Sequence, residues 1–434
     1  MEQNLTKKVW LVANEMGYGH QRTAFNLREL AFENQIIQAD NYQNIPLKDK
    51  LIWTINRNSY YFFSKSIDVP IIGKKLFNFF DYFQRIEDFY SNKNVVKPTL
   101  QTKSNYFLIK LGFGKHFIQT LKDKNKNLPF VSTFFTPAFM AEYWHYPGEI
   151  FCIVCDTDVS RAWVPLEISK SKIKYFAPTK RVAKRLEKYG VKKENIYLTG
   201  YPLPIENLGD RNLSLLKERL RQRLLNLDPK NSFQKKYSFF IKKYLGSLPE
   251  NPDHKLSLML AIGGAGAQVK ASQTLLEGLR NKISKNLINL TLVAGKNLTL
   301  KNYFLANIKF LKLEDNFQKN LKIIYNPNIN NFFKEFNLEL LKTDILLTKP
   351  SELSFYAGLG LPIVILPPIG SHESLNKNWL IRKGAGIESE DLKYIENWLE
   401  DFLNEGLFFK AAISGFLEIK KLGTFKIIDI LQKI

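Results

Sequence analysis

Cysteine is almost missing from this sequence: Cys152 and Cys155, in FCIVCD, are the two in 434 residues. A disulfide-stapled secreted scaffold is thereby excluded. Their spacing admits a redox pair or half a zinc site, but four-ligand zinc needs more partners and a thioredoxin-type pair opens a helix. FCIVC reads instead as a strand on which positions three apart face opposite ways, so two buried thiols are expected. Also lacking is any uninterrupted apolar run near the roughly 18 residues that cross a bilayer. The opening MEQNLTKKVWLVAN reaches an Asn too early for a signal peptide, and the expected location is the cytoplasm or the inner face of the membrane. Acidic residues are few beside basic ones, 41 against 63, for a net charge of +22. Such charge suits nucleic acid, an anionic membrane or phosphate-bearing ligands equally and does not choose among them. With 45% hydrophobic and 24% charged residues, disorder and collagen-like fibre are excluded, and the length suffices for two or three domains.

What is present is an alternation of short β-rich runs with helical stretches, the pattern of parallel sheets covered by helices. Strands are expected at 8–13, 35–39, 130–133, 150–155, 173–177 and 195–199, then at 256–262, 289–294, 321–325, 344–348 and 362–366. Two α/β domains follow, with a boundary between Tyr201 and His254. The expected division is 1–205, a basic connecting stretch 206–254, a second domain 255–410, and a final helix 411–434 that crosses back. The connecting stretch has helical Leu spacing, which reads either as a helix with a solvated basic face or as a surface that rests on anionic lipid headgroups.

A faint repeat links the halves. KVWLVANEMGYGHQRTAFNLREL and KLSLMLAIGGAGAQVKASQTLLEGL both read as strand, Gly-rich turn and helix, with His20 in the first where the second has Ala267. Glycine lets such a turn bend sharply, and the following helix start offers N–H groups to an anion. Gly17-x-Gly19 with Asp40 about twenty residues on also fits a dinucleotide-binding turn, but the third Gly position holds Arg22 and that reading leaves the second half unexplained. His20 follows the turn at the carboxyl end of the first strand, where α/β folds bind ligands, and a neutral imidazole there can take a proton from a hydroxyl. The alternative is a capping or packing histidine. His116, His145 and His254 have no such context and read as structural.

GYGHQRTA, YFAPTKRVAKRLEKYGVKKENIYLTGYPLP, GGAGAQ and TKPSELSFYAGLGLPIVILPPIGSHESLNKNWL come in the order and spacing of two-domain GT-B glycosyltransferases. Over roughly residues 7–390 the chain resembles the branch that contains MurG and the monogalactosyl- and diacylglycerol glycosyltransferases. The resemblance implies two Rossmann-like domains facing across a cleft and an inverting transfer of a sugar from a nucleotide diphosphate, usually UDP, to a hydroxyl, with no bound metal or other cofactor. It makes His20 the base, with Gly17 and Gly19 in the acceptor loop. Asp158 is a second candidate base or an orienting carboxylate, or else a strand-end cap. Gly263, Gly264 and Gly266 would donate N–H groups to the leaving diphosphate.

The C-terminal motif departs from the better-known members. Ser351 and Glu352 stand after Lys349-Pro350 where relatives have a Gly-rich pair, and the segment to Gly360 is shorter. Glu352 is the candidate for the ribose hydroxyls, against a simple helix-start charge. His372, Glu373 and Asn376, in GSHESLN, are expected contacts to donor sugar and diphosphate. Residues 51–90 are dense in aromatics interleaved with Lys65, Lys74, Lys75 and Arg85, which reads as helices packed on the core or as a lipid-facing surface. A lipid acceptor and an anionic membrane are expected partners, nucleic acid is not. The alternatives are a UDP-sugar epimerase on the same scaffold and a non-catalytic partner subunit.

Overall fold

The computed structural model describes residues 7–66, 86–90, 95–262, 269–368 and 370–434. Each segment read as a strand forms one. The first sheet runs β2-β1-β3-β4-β5-β6, with β1 at Trp10–Ala13, β2 at Ile37–Gln38, β3 at Phe130–Ser132, β4 at Ile150–Ile153, β5 at Lys174–Ala177 and β6 at Ile196–Leu198. The second runs β12-β11-β10-β7-β8-β9, with β7 at Ser257–Ala261, β8 at Asn289–Gly295, β9 at Leu321–Tyr325, β10 at Ile345–Thr348, β11 at Ile363–Ile365 and β12 at Gly386–Glu388. Every pairing is parallel. Parallel strands covered on both faces are near-continuously apolar, as WLVA, IFCI, SLMLA and ILLT are apart from Ser257 and Thr348 at their ends, and all four are buried along their length. Only β12, in the Gly-rich GAGIE, carries too little apolar signal to be read from sequence.

The strand order reverses between β1 and β3 in the first sheet and between β7 and β10 in the second. Such a switch point opens a crevice at the carboxyl ends of the strands, because the two crossover connections leave in opposite directions there.

The chain divides into two compact units, one of Met1–Leu203, Ile369–Asn376 and Leu422–Ile434, the other of Pro204–Pro368 and Lys377–Lys421. The basic stretch expected as a linker is therefore part of the second unit. Its helix Ser214–Asn226 turns Leu216, Leu220 and Leu224 inward, and with them Arg223, which is 3% exposed. The Arg223 guanidinium donates to the carbonyls of Leu340, Thr343, Leu359 and Gly360. A basic residue on this helix thus serves as an internal tie, a role that charge counting cannot distinguish from a solvated face.

The return to the first unit is shorter than 411–434. The helix Leu407–Glu418 stays in the second unit, where Gly415 sits against the Ala357 backbone too closely for a side chain. Only the helix Gly423–Lys433 belongs to the first. There Gly423 abuts the Tyr201 backbone, Thr424 Oγ1 donates to the Leu203 carbonyl, and Gln432 exchanges hydrogen bonds with the Lys7 backbone.

Candidate functional site

In the first unit the switch point is bridged by His20. The helix Tyr18–Phe25 begins straight after β1, its entry bent by Gly17 at φ 83°, a left-handed value that a side chain would strain. This places His20 on the first turn, with Nδ1 2.7 Å from the carbonyl oxygen of Thr133, the residue that follows β3. A carbonyl only accepts, so Nδ1 carries a proton, and in the neutral ring the lone pair is on Nε2. Phe134 and Trp163 flank the half-buried imidazole at ring distances of 4.8 and 6.2 Å.

Neighbouring groups hold the turn. Asp40 accepts from the Glu15 N–H at 3.1 Å, and burial raises its carboxyl above the usual range. Asp40 is thus a brace for the Gly17–Gly19 turn. Thr23 bonds the Gly19 carbonyl and the Tyr201 hydroxyl. Asn14, fully buried at the end of β1, has a side-chain donor and acceptor with no partner among the described residues, a need that a bound water would meet.

Asp158 departs from its expected role. Its carboxylate takes Arg185 Nε at 2.9 Å and Nη2 at 2.8 Å, Arg181 Nε at 2.6 Å and the Val159 N–H at 3.0 Å, with Asp158 and Arg185 both about 1% exposed. A carboxylate so enclosed by guanidinium donors is a buried clamp between the loop after β4 and the helix Lys180–Lys188, and it has no geometry for a base.

Asn376 is likewise committed to this loop. Its Oδ1 accepts from the Thr157 N–H at 3.1 Å and hydroxyl at 2.7 Å, and its Nδ2 donates to Asp156 Oδ1 at 3.1 Å. The half-buried Asp156 was not singled out from sequence. Its signal was CDTD, where the first rather than the second acid is the one outside the guanidinium clamp. Thr133, Phe134 and Trp163 also escaped sequence reading, because only tertiary structure brings β3 and the loop after β4 to His20.

Gly263, Gly264 and Gly266 in the second unit lie outside the described residues, as do residues 67–85 of the first unit's aromatic segment, with Lys74, Lys75 and Arg85. On the other side of the second unit's switch point, Lys349 and Ser351 follow β10 half-buried, and Glu352 opens the 3-10 helix Glu352–Leu359 at 8% exposure. His372 and Glu373 occupy the first turn of the helix Ser371–Arg382, His372 half-buried and Glu373 buried. Among the described residues no three His, Cys, Asp or Glu side chains gather as a metal-binding set, and no helix is long and apolar enough to cross a membrane.

Residues 308–427 match the family model described as a domain of unknown function, DUF6938. The chain is 22% identical over 394 residues to a processive diacylglycerol beta-glucosyltransferase of Bacillus subtilis, covering 88% of this chain and 84% of that protein. A protein of the same name from Bacillus licheniformis is 22% identical over 412 residues, covering 92% and 88%. The solved Staphylococcus aureus MnaA–UDP structure aligns with a TM-score of 0.45 at 13% identity over 84% of this chain and 86% of that one. Two parallel six-stranded sheets in the expected order, and similarity to named glucosyltransferases through nearly the whole length, agree with a glycosyltransferase of the GT-B type.

Proposed function

We propose that the protein is an inverting glycosyltransferase that moves a hexosyl unit from a UDP-sugar to the hydroxyl of a membrane lipid of the diacylglycerol class, with no resident metal or other cofactor. The observation that carries this reading is the imidazole of His20, whose Nδ1–H is tied to the Thr133 carbonyl so that Nε2 is the basic atom. Nε2 takes the acceptor proton as the acceptor oxygen attacks the anomeric carbon, and the bond from that carbon to the diphosphate oxygen breaks with its electron pair leaving on UDP. In this step the ring passes from the neutral imidazole to the imidazolium.

The donor falls to the second domain. Backbone N–H groups at Gly263, Gly264 and Gly266 receive the diphosphate, as a helix-start turn does for any pyrophosphate. Glu352 accepts from the ribose hydroxyls and Lys349 and Ser351 flank it, while His372 and Glu373, which belong to the first unit, are the proposed contacts to the sugar and diphosphate. Asn376 acts as a positioning residue that fixes the Asp156–Thr157 loop.

The lipid class draws support from the relatives' names and from the first unit's surface. On the helix Leu47–Ser66, Leu47, Leu51 and Ile55 recur every four residues and are exposed, as are Leu100, Phe107 and Leu111 on one face of the helix Leu100–Lys110 and its cap. Lys48 Nζ donates to the Leu111 carbonyl and fastens the two together. Exposed lysines at 50, 103 and 110 border this apolar surface, a pairing that suits the boundary of an anionic bilayer.

The test is incubation with UDP-glucose and diacylglycerol vesicles, with and without a chelator. A glycolipid of inverted anomeric configuration, formed equally with chelator, is expected. Isomerised donor sugar in an incubation without acceptor would identify an epimerase instead.

A further inference from the structure

From Pro229 to Pro249 the second unit carries five lysines and no acidic residue. Here two short helices, Ser232–Lys236 and Ser238–Tyr244, follow one another with a bend at Tyr237. The Asp228 carboxylate starts the pair by accepting from the N–H groups of Ser232, Phe233 and Gln234. The inward face is aromatic. Phe233 and Tyr237 lie 6.1 and 5.7 Å from the Phe409 ring, and Phe240 lies 6.3 Å from Phe416, both on the helix Leu407–Glu418. Gly406 admits the Phe233 ring where a Cβ would collide with it. The pair is therefore seated in the domain.

The outward face is different. Lys235 and Lys236 end the first helix and Phe239, Lys242 and Lys243 lie on the second, and all five are exposed, Phe239 at 78%. None of the four lysines pairs with a carboxylate among the described residues; Lys243 lies over the Phe239 and Tyr244 rings at 5.8 and 5.3 Å. A phenyl ring held out in water amid unpaired ammonium groups has little intramolecular use.

We infer that this surface is a membrane anchor of the second domain, in which Phe239 enters the interface of an anionic bilayer while the surrounding lysines meet lipid phosphates. Charge complementarity and the ring select this occupant together. Phosphates of a nucleic acid duplex would satisfy the lysines but leave the phenyl ring wet, whereas a bilayer interface accepts both. The surface has no Arg, Asn or Gln fork to read a base edge. Tyr244, 41% exposed at the far end, adds a second interfacial aromatic. The surface lies on a different unit from the apolar one of the helix Leu47–Ser66, so each is tested by itself.

Cys152 and Cys155 are buried, which lets a single exposed thiol be labelled in the full-length chain. Phe239→Cys carrying an environment-sensitive fluorophore is mixed with vesicles of phosphatidylglycerol and phosphatidylcholine, of phosphatidylcholine alone, and with polyuridylate. A blue shift on the anionic vesicles, quenched by nitroxide-labelled lipid and reversed by high salt, is expected. In flotation, replacing Lys235, Lys236, Lys242 and Lys243 by Ala is expected to weaken binding by several hundredfold, since each surface lysine contributes about fivefold. An unchanged emission on anionic vesicles, an equal shift on phosphatidylcholine alone, or a shift confined to polyuridylate would each overturn the anchor. Vesicle binding needs no donor sugar, so these outcomes are independent of the transfer reaction.

Discussion

His20 Nδ1 and the Thr133 carbonyl oxygen stand 2.7 Å apart, joining the residue after one central strand to the residue after its neighbour. This contact fixes both the orientation and the tautomer of the ring, and it assigns Nε2 the proton-accepting role in the proposed reaction.

Replacing His20 by Ala is expected to lower kcat on the order of 10²–10⁴-fold, the usual worth of a positioned general base. UDP binding, read by calorimetry, should be unchanged. Undiminished turnover would remove His20 from the mechanism.

Glu352→Gln should raise KM for the donor with little change in kcat if the carboxylate binds ribose in ground and transition states alike. An unaltered KM would reassign Glu352, buried at the start of its 3-10 helix, to a structural charge.

The Asp158 clamp yields a stability prediction. Arg185→Met removes two of the four donors of a buried carboxylate, leaving Arg181 and the Val159 N–H, and should cost about 2–3 kcal/mol, while adding Asp158→Asn should recover part of that loss. Denaturant midpoints of the two single variants and the double variant check it; strictly additive losses would show that the two side chains do not act as a pair.

At Arg223 burial lowers the guanidinium pKa to about 10, and four backbone carbonyls take its donors. Lysine cannot reproduce that fork, so Arg223→Lys should destabilise the second domain by about 2 kcal/mol or more through unmet carbonyls. Thermal unfolding of the full-length chain would reveal it, and an unshifted transition would contradict the tie.

His254 lies 3.2 Å from the fully buried Asp344 and 2.5 Å from Asp253, which also pairs with Arg219. Burial pulls its pKa down, but the two carboxylates outweigh that and raise it above 6.5. A histidine with a raised folded pKa stabilises fully below its unfolded value and loses that contribution as pH rises through the folded one. The unfolding midpoint of the wild type should therefore fall as pH increases above about 6.5, and His254→Asn should flatten this slope. An identical slope in the variant would place the pH dependence elsewhere.

Short apolar runs such as WLVA and IFCI were legible as parallel strands because burial on both faces leaves little room for polar positions. The glycine at position 17 and the histidine three residues later were legible for a similar reason, since a tight strand-to-helix turn restricts which residues fit. Position in the chain could not reveal partners more than a hundred residues away. The sequence could not tell that Asp158 faces Arg181 and Arg185 while Asp156 meets Asn376, because two acids in CDTD look alike until the backbone sends them in different directions. Nor could it separate Arg223, turned into the protein, from Lys242, turned out of it, although both belong to one basic stretch. Local sequence determined the strands, the turns and the kind of chemistry on offer. Packing alone decided which charges are spent on holding the fold and which remain for a ligand, because a charge's role is set by what surrounds it.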